Sequence, residues 1–309
     1  MRFQPRDGEI LKAIYGNDGI LPRRLIKSLF WPDSKNPRAM EIRLLKLKRA
    51  GYIDWPSEKQ RREYPIPEPV CWLGPKGIEY ITGEFGVKVV SPKSVNDYQL
   101  RNYHKELRDH GIRWLRSPRW SLLRHDLVIS DIKFAIIEAI SELPNFSMKN
   151  WMPDSAFRSD LDIVTYEVKS KDGEIKRIDK GICPDAYFEI VDEERRDKGQ
   201  PYRIRFLLEV DMASYDNARF GREKALPGVA YIKSLAYRER FGQNTGRWLI
   251  ITSGGERRRS SLKRQTKKDV GDDVNLFLFT SFDKITGQNL LSSPIWEQIG
   301  INHPLPLLK

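Results

Sequence analysis

Between Asp7 and Tyr15 the apolar residues Ile10, Leu11, Ile14 and Tyr15 recur at helical spacing, and the run Gly16-Asn17-Asp18-Gly19 ends the pattern. A second helix is expected after Pro22, with Leu25, Ile26, Leu29 and Phe30 on one face, closing before Pro32. The third, from about Pro37 to Ala50, carries Met40, Ile42, Leu44, Leu45 and Leu47 among the cations Arg38, Arg43, Lys46, Lys48 and Arg49. Gly51 to Trp55 and Val70 to Leu73 read as strands around the charged run Glu58 to Glu63, and Gly74-Pro75-Lys76-Gly77 restarts a helix. Residues 84–99 read as a linker or small strand, and helical character returns over 95–114.

Farther on, LLRHDLVISDIKFAIIEAISEL is an apolar helical segment suited to packing one side of a sheet. His125 at its start reads as a hydrogen-bonded structural histidine before a ligand. Strands are expected at Phe146 to Trp151, Leu161 to Val168, Ile175 to Ile178, Ala186 to Val191 and Arg203 to Val210, with a hairpin turn at Lys171-Asp172-Gly173. A helical region from Asp216 to Phe241, broken at Pro227-Gly228, precedes a buried strand (Arg247 to Thr252), a basic helix (Glu256 to Lys268) and a second buried strand (Val274 to Thr280). Pro294-Ile295-Trp296 is expected to anchor a last helix. Hairpins followed by strands alternating with helices indicate an α/β (α+β) fold, a mixed sheet with helices on its faces.

Composition narrows the function classes. A chain of 309 residues exceeds one average domain, and its 39% hydrophobic and 31% charged residues exclude both a disordered and a membrane protein. Lys plus Arg at 54 against Asp plus Glu at 42 leaves a net charge of +12, which favours a polyanionic partner. Cys71 and Cys183 form no zinc-ligand pattern, and the amino terminus has no secretory h-region, so a cytoplasmic, nucleoid- or plasmid-associated protein is expected.

Three helices followed by two strands with a charged tip is the order of a winged helix-turn-helix, and about the first 85 residues resemble such domains, the run AGYIDW…CWLGPKGIEYI most closely. The resemblance implies double-stranded DNA as partner, with Arg38, Arg43 and Lys46 on the groove-facing helix and Lys59, Arg61 and Arg62 at the wing tip. The alternative is a protein-docking module. The domain limits are drawn at 1–88 (winged helix), 89–120 (basic helical linker) and 121–309 (α/β domain). Arg101 to Arg124 holds seven cations beside Trp114 and Trp120, suited to a phosphate backbone or to a solvated face. Arg257, Arg258, Arg259, Lys263, Arg264, Lys267 and Lys268 offer a second phosphate surface on the basic helix.

Candidate chemistry lies between these patches. Asp185 enters one strand and Glu209 and Asp211 end another, so carboxylates converging at the sheet edge would form a hard-oxygen site for Mg2+ or Mn2+. Pro184-Asp185 followed by Glu209-Val210-Asp211 resembles the PD-(D/E)xK pattern of restriction-endonuclease-like folds, which implies a metal-dependent endodeoxyribonuclease. This chain departs from the pattern in having Asp211 where the lysine stands. Lys224 is the candidate substitute, and Glu138 a candidate further acid. The ordinary alternative is a Pro-Asp turn and a strand exit without catalysis.

Across residues 1–280 the order of features resembles the replication-relaxation family of plasmid and mobile-element proteins. The carrying motifs are LLRHDLVISDI, PDAYFEI, FLLEVD with YDNARFGREK, and WLIIT with ERRRSSLKR. Two functions follow as expectations: a DNA-binding protein whose second half nicks or cleaves DNA, or a noncatalytic factor that recruits replication, transfer or transposition proteins. No heptad run speaks for a dimer, and the oligomeric state stays open.

Overall fold

The computed structural model describes residues 1–86, 118–169, 173–214 and 216–308. The expected helix at 95–114 and five of the seven cations between Arg101 and Arg124 lie outside the described residues. The chain divides into two compact units, Met1–Ser130 and Asp131–Lys309.

In the first unit the order is α1 (Pro5–Gly16), β1 (Ile20–Pro22), α2 (Arg23–Phe30), α3 (Arg38–Arg49), β2 (Ile53–Asp54), α4 (Glu58–Glu63), β3 (Val70–Leu73) and α5 (Pro75–Glu84). The three strands form one antiparallel sheet in the order β1-β3-β2. The periodicity of the helices did not disclose β1, three residues that are all buried and paired with β3. The charged tip is also more ordered than an exposed turn: it folds as α4, capped by Ser57, whose hydroxyl accepts from the Gln60 amide while the Gln60 side chain accepts from Ser57 N–H.

Ile10, Leu11, Ile14, Ile26, Leu44, Leu47 and Val70 are fully sealed from solvent and form the core of this unit. Gly77 lets α5 meet the sheet, because a Cβ there would fall 2.1 Å from the Tyr52 carbonyl oxygen. The first turns of α6 (Leu123–Ser141) add Leu123 and Leu127 to a cluster with Ile20, Val70 and Trp72.

The second unit is built on a six-stranded mixed sheet, order β11-β10-β9-β8-β7-β4. It uses β4 (Phe146–Pro153), β7 (Ala186–Asp192), β8 (Arg203–Asp211), β9 (Arg247–Thr252), β10 (Phe277–Ser281) and β11 (Glu297–Gln298). The pairs β4/β7 and β7/β8 are antiparallel, and β8/β9 and β9/β10 are parallel. Parallel neighbours require crossovers. The first crossover is α9 (Asn217–Phe220), a π-helical turn (Gly221–Ala225), α10 (Leu226–Lys233) and α11 (Leu235–Phe241), and the second is α12 (Gly255–Val270).

Two short helices, α7 (Asp154–Ser159) and α8 (Glu193–Asp197), join strands without being signalled by periodicity. The expected hairpin is present as β5 (Asp162–Lys169) and β6 (Ile175–Ile182), a separate two-stranded sheet. Its Val164 and Ile182 share the main core with Tyr187, Leu207, Tyr231, Ile250 and Phe279.

The region after Trp296 does not form the expected last helix. Trp296 is fully buried, donates its indole N–H to Leu290 O at 2.8 Å, and bridges Leu305 in extended geometry. Burial raises both thiols above their ordinary range, that of Cys71 to about 11. With a disulfide-forming aromatic reagent at neutral pH, native protein should leave Cys71 unmodified and react slowly at Cys183, and both should react at once in guanidinium. Rapid native labelling of Cys71 would contradict the buried placement.

Candidate functional site

The antiparallel register Ala186↔Leu208 continues one step to set Asp185 beside Glu209. Backbone bonding extends the ladder: Asp185 N–H donates to Leu208 O at 2.9 Å, and Asp154 N–H donates to Asp185 O at 3.1 Å. The Asp185 side chain takes the next place, its Oδ2 accepting from Val210 N–H at 2.7 Å. Proline at 184 thus precedes an aspartate that serves as a ladder acceptor where β7 begins.

Glu209 is buried on β8, and Lys224 reaches it from the crossover. The Lys224 Nζ lies 2.7 and 2.8 Å from the two carboxylate oxygens. The π-helical turn carrying Lys224 inserts an extra residue into the helical run, a local irregularity common at functional sites. Gly221 opens that turn against α12, where a Cβ would overlap the Asp269 carboxylate. Burial opposes the charge on Lys224, but Glu209 and Asp185 outweigh it and hold its pKa above the ordinary lysine value.

A cleft of about 240 Å³ opens at this point, bounded by Lys180, Cys183, Glu209, Glu223, Lys224 and Trp248 among others. Lys180 is the opposite case to Lys224: burial lowers its pKa, and Lys224 and Arg219 lower it further against the pull of Glu223 and Glu209. The apolar pattern of the sequence ends this strand at Ile178, whereas β6 continues to Ile182 and carries Lys180 into the cleft.

Asp211 points to the same face as Glu209, two residues on, but its carboxylate is engaged elsewhere. Thr252 Oγ1 donates to its Oδ2 at 2.7 Å, and Arg258 clamps both oxygens, Nε to Oδ2 at 2.8 Å and Nη2 to Oδ1 at 2.9 Å. Arg258 also donates to Asn217 Oδ1 at 2.7 Å. The structure does not gather the three expected acids: among the described residues no group of three or more His, Cys, Asp or Glu could hold a metal ion. Glu138 lies against Gly287, where a Cβ would overlap its carboxylate.

The cationic surfaces are trimmed in the same way. On α12, Arg259 is buried and pairs with Glu256 at 2.9 Å and with Glu297 at 2.5 Å, and Lys263 bonds Glu297 at 2.7 Å. With Arg258 turned onto Asp211, the exposed cations of that helix are Arg257, Arg264, Lys267 and Lys268.

On α3, Arg43 turns inward: its Nε donates to the buried Asp7 at 2.7 Å, its Nη2 bonds the second Asp7 oxygen, and Nη2 also donates to Arg2 O at 3.0 Å. Arg38, Lys46 and Arg49 remain exposed, as do Lys59, Arg61 and Arg62 on α4.

A helical unit bearing an outward cationic helix is thus joined in one chain to a mixed α/β unit whose cleft sets Lys180 and Lys224 beside Glu209 and Glu223. The replication-relaxation family model matches residues 13–225, and the chain is a member of that family. The matched stretch includes α3, Asp185, Glu209, Asp211 and Lys224, and it ends ahead of Thr252 and Arg258. No curated protein and no solved structure matches the chain. Membership makes it a replication-related, DNA-associated protein. Among the described residues no helix is long and apolar enough to cross a membrane.

Proposed function

We propose that this is a DNA-binding protein in which the first unit grips duplex DNA as a winged helix-turn-helix and the second is a magnesium- or manganese-dependent phosphodiesterase. The observation that carries the catalytic half is the meeting of Asp185, Glu209 and Lys224: a strand-start acid, a facing acid and a lysine supplied by the following crossover. This is the PD-(D/E)xK set with its lysine displaced, on a helix, a three-strand antiparallel run and parallel crossovers.

Asp185 and Glu209 would hold the divalent cation, Glu209 once it releases Lys224 from at least one of its oxygens. Magnesium is commonly held by one or two carboxylates, with waters and substrate phosphate oxygens completing its shell, so the loss of Asp211 from the set is tolerable. When bound, such an ion supplies Lewis-acid polarisation of the phosphate and lowers the pKa of water. Lys224 stays protonated at neutral pH, because Glu209 and Asp185 raise its pKa, so its role is to neutralise charge developing on the phosphate and not to accept a proton. Lys180 adds a second positive group to the cleft wall.

Supercoiled plasmid incubated with Mg2+ or Mn2+ tests this directly. Wild-type protein should convert it to nicked or linear forms, and Asp185→Asn or Glu209→Gln should abolish the conversion while leaving gel-shift affinity intact. The bidentate grip of Lys224 on Glu209 favours a second reading, a closed scaffold that binds DNA and recruits replication, transfer or transposition proteins. Plasmid that stays supercoiled with both metals, under conditions where the protein shifts duplex DNA, would establish that reading in place of the first.

A further inference from the structure

The outer face of α3 carries a pattern that its cations alone do not explain. Met40, Leu44 and Leu47 face the core, and the helix positions farthest from them are Arg38, Ile42, Leu45 and Arg49, spaced i, i+4, i+7 and i+11. These four make a single outward stripe, apolar in the middle and cationic at both ends. Ile42 is 47% and Leu45 38% exposed, although the unit's other large aliphatics on this helix are buried.

We infer that Ile42 and Leu45 read thymine C5-methyl groups in the major groove, so that the preferred DNA is a thymine-containing duplex. This rests on the proposal above that the first unit binds duplex DNA. Arg38 and Arg49 are eleven residues apart, about 16 Å along the helix axis, enough to bracket a major groove roughly 12 Å wide with one guanidinium near each phosphate wall. The two aliphatic side chains between them then meet the floor of the groove, where the thymine methyl is the apolar feature that base pairs offer. Lys46, on the flank of the stripe, adds a phosphate contact that sets register without reading sequence.

A second copy of the chain seated on the same stripe would bring cationic ends against cationic ends, whether the two helices ran parallel or antiparallel. Charge complementarity therefore favours a polyanion as the occupant.

The test uses the full-length protein with three duplexes of equal length: alternating dA·dT, alternating dA·dU and alternating dG·dC, at one salt concentration. The dA·dT and dA·dU duplexes differ by the methyl group. Wild type should bind dA·dT more tightly than dA·dU by about fourfold for each methyl buried. In the Ile42→Ala/Leu45→Ala variant that ratio should fall to one. Both residues are exposed, so unaltered melting temperature is the expected control.

Equal wild-type affinity for dA·dT and dA·dU would overturn methyl reading while leaving DNA binding in place. Binding to none of the duplexes would remove the DNA-binding proposal itself, and the inference with it. Sedimentation gives a further arm: a wild-type dimer that the double variant converts to monomer would make the stripe a protein interface and overturn the assignment.

Discussion

Arg258→Ala is expected to lower the melting temperature of the second unit without improving any metal-dependent activity. Arg258 and Asp211 are nearly sealed from solvent, with side-chain exposures of 13% and 4%. Removing the guanidinium leaves a buried carboxylate with Thr252 as its remaining side-chain donor among those described above. Breaking one side of such a pair costs about 3–5 kcal/mol, which for a unit of this size corresponds to roughly 6–20 °C.

The opposite replacement distinguishes a structural pair from a misassigned metal ligand. Asp211→Leu combined with Arg258→Met removes both charges together and should recover most of the loss, since buried ion pairs replaced by apolar groups are often neutral in stability. If Asp211 were instead a metal ligand held in reserve, Arg258→Ala would free it, and magnesium affinity would rise. Differential scanning calorimetry of wild type and the two variants beside a calorimetric magnesium titration separates these outcomes. A double variant as unstable as Arg258→Ala would refute the pairing account.

The contrast between Arg258 and its neighbours marks where the sequence was legible. Element types followed from periodicity along most of the chain: the three early helices, the hairpin, the β7/β8 meander and the alternation of β9, α12 and β10 arose from apolar spacing and turn residues that act locally. The sequence offers Lys224 as a candidate substitute for the lysine missing at 211, and the fold bonds it to Glu209.

What local pattern could not show was the inward turn of particular cations. Arg43 and Lys46 look equivalent in sequence. Arg43 finds Asp7 thirty-six positions away, at the edge of the helix's buried face, whereas Lys46 stays exposed. Arg258 finds Asp211 forty-seven positions away, and Arg259 finds Glu297 across the unit. A run of cations looks like a single surface in sequence, and folding divides it between internal pairs and outward groups. The capping box at Ser57 and Gln60 is a different kind of miss. Its signature was local and present, but the charged run that follows it drew the reading toward an exposed turn.

Lys224→Met is expected to impair function and stability together. If Lys224 neutralises charge on the phosphate, its loss should slow magnesium-dependent nicking on the order of 10²–10³-fold, comparable with deletion of one preorganised charge-stabilising donor. Stability should fall too, because Glu209 is left buried without its ammonium partner. The two effects have different pH signatures. A lysine whose folded-state pKa is raised contributes stability that is fully present below its unfolded value of 10.5 and is lost as pH rises through the folded value.

The stability difference between wild type and Lys224→Met should therefore be constant through the neutral range and shrink only on the alkaline side of 10.5. Lys224→Arg keeps the charge but replaces a compact ammonium with a planar fork, so it should retain much of the stability and little of the rate, since a point charge and a bidentate donor do not occupy the same geometry. Chemical denaturation across pH, run beside single-turnover plasmid nicking, measures both. A Lys224→Met protein that loses stability with no change in nicking would leave the lysine as a structural counterion and remove it from the catalytic set. If Lys224→Arg nicks at the wild-type rate, charge alone suffices at that position and no geometric requirement applies.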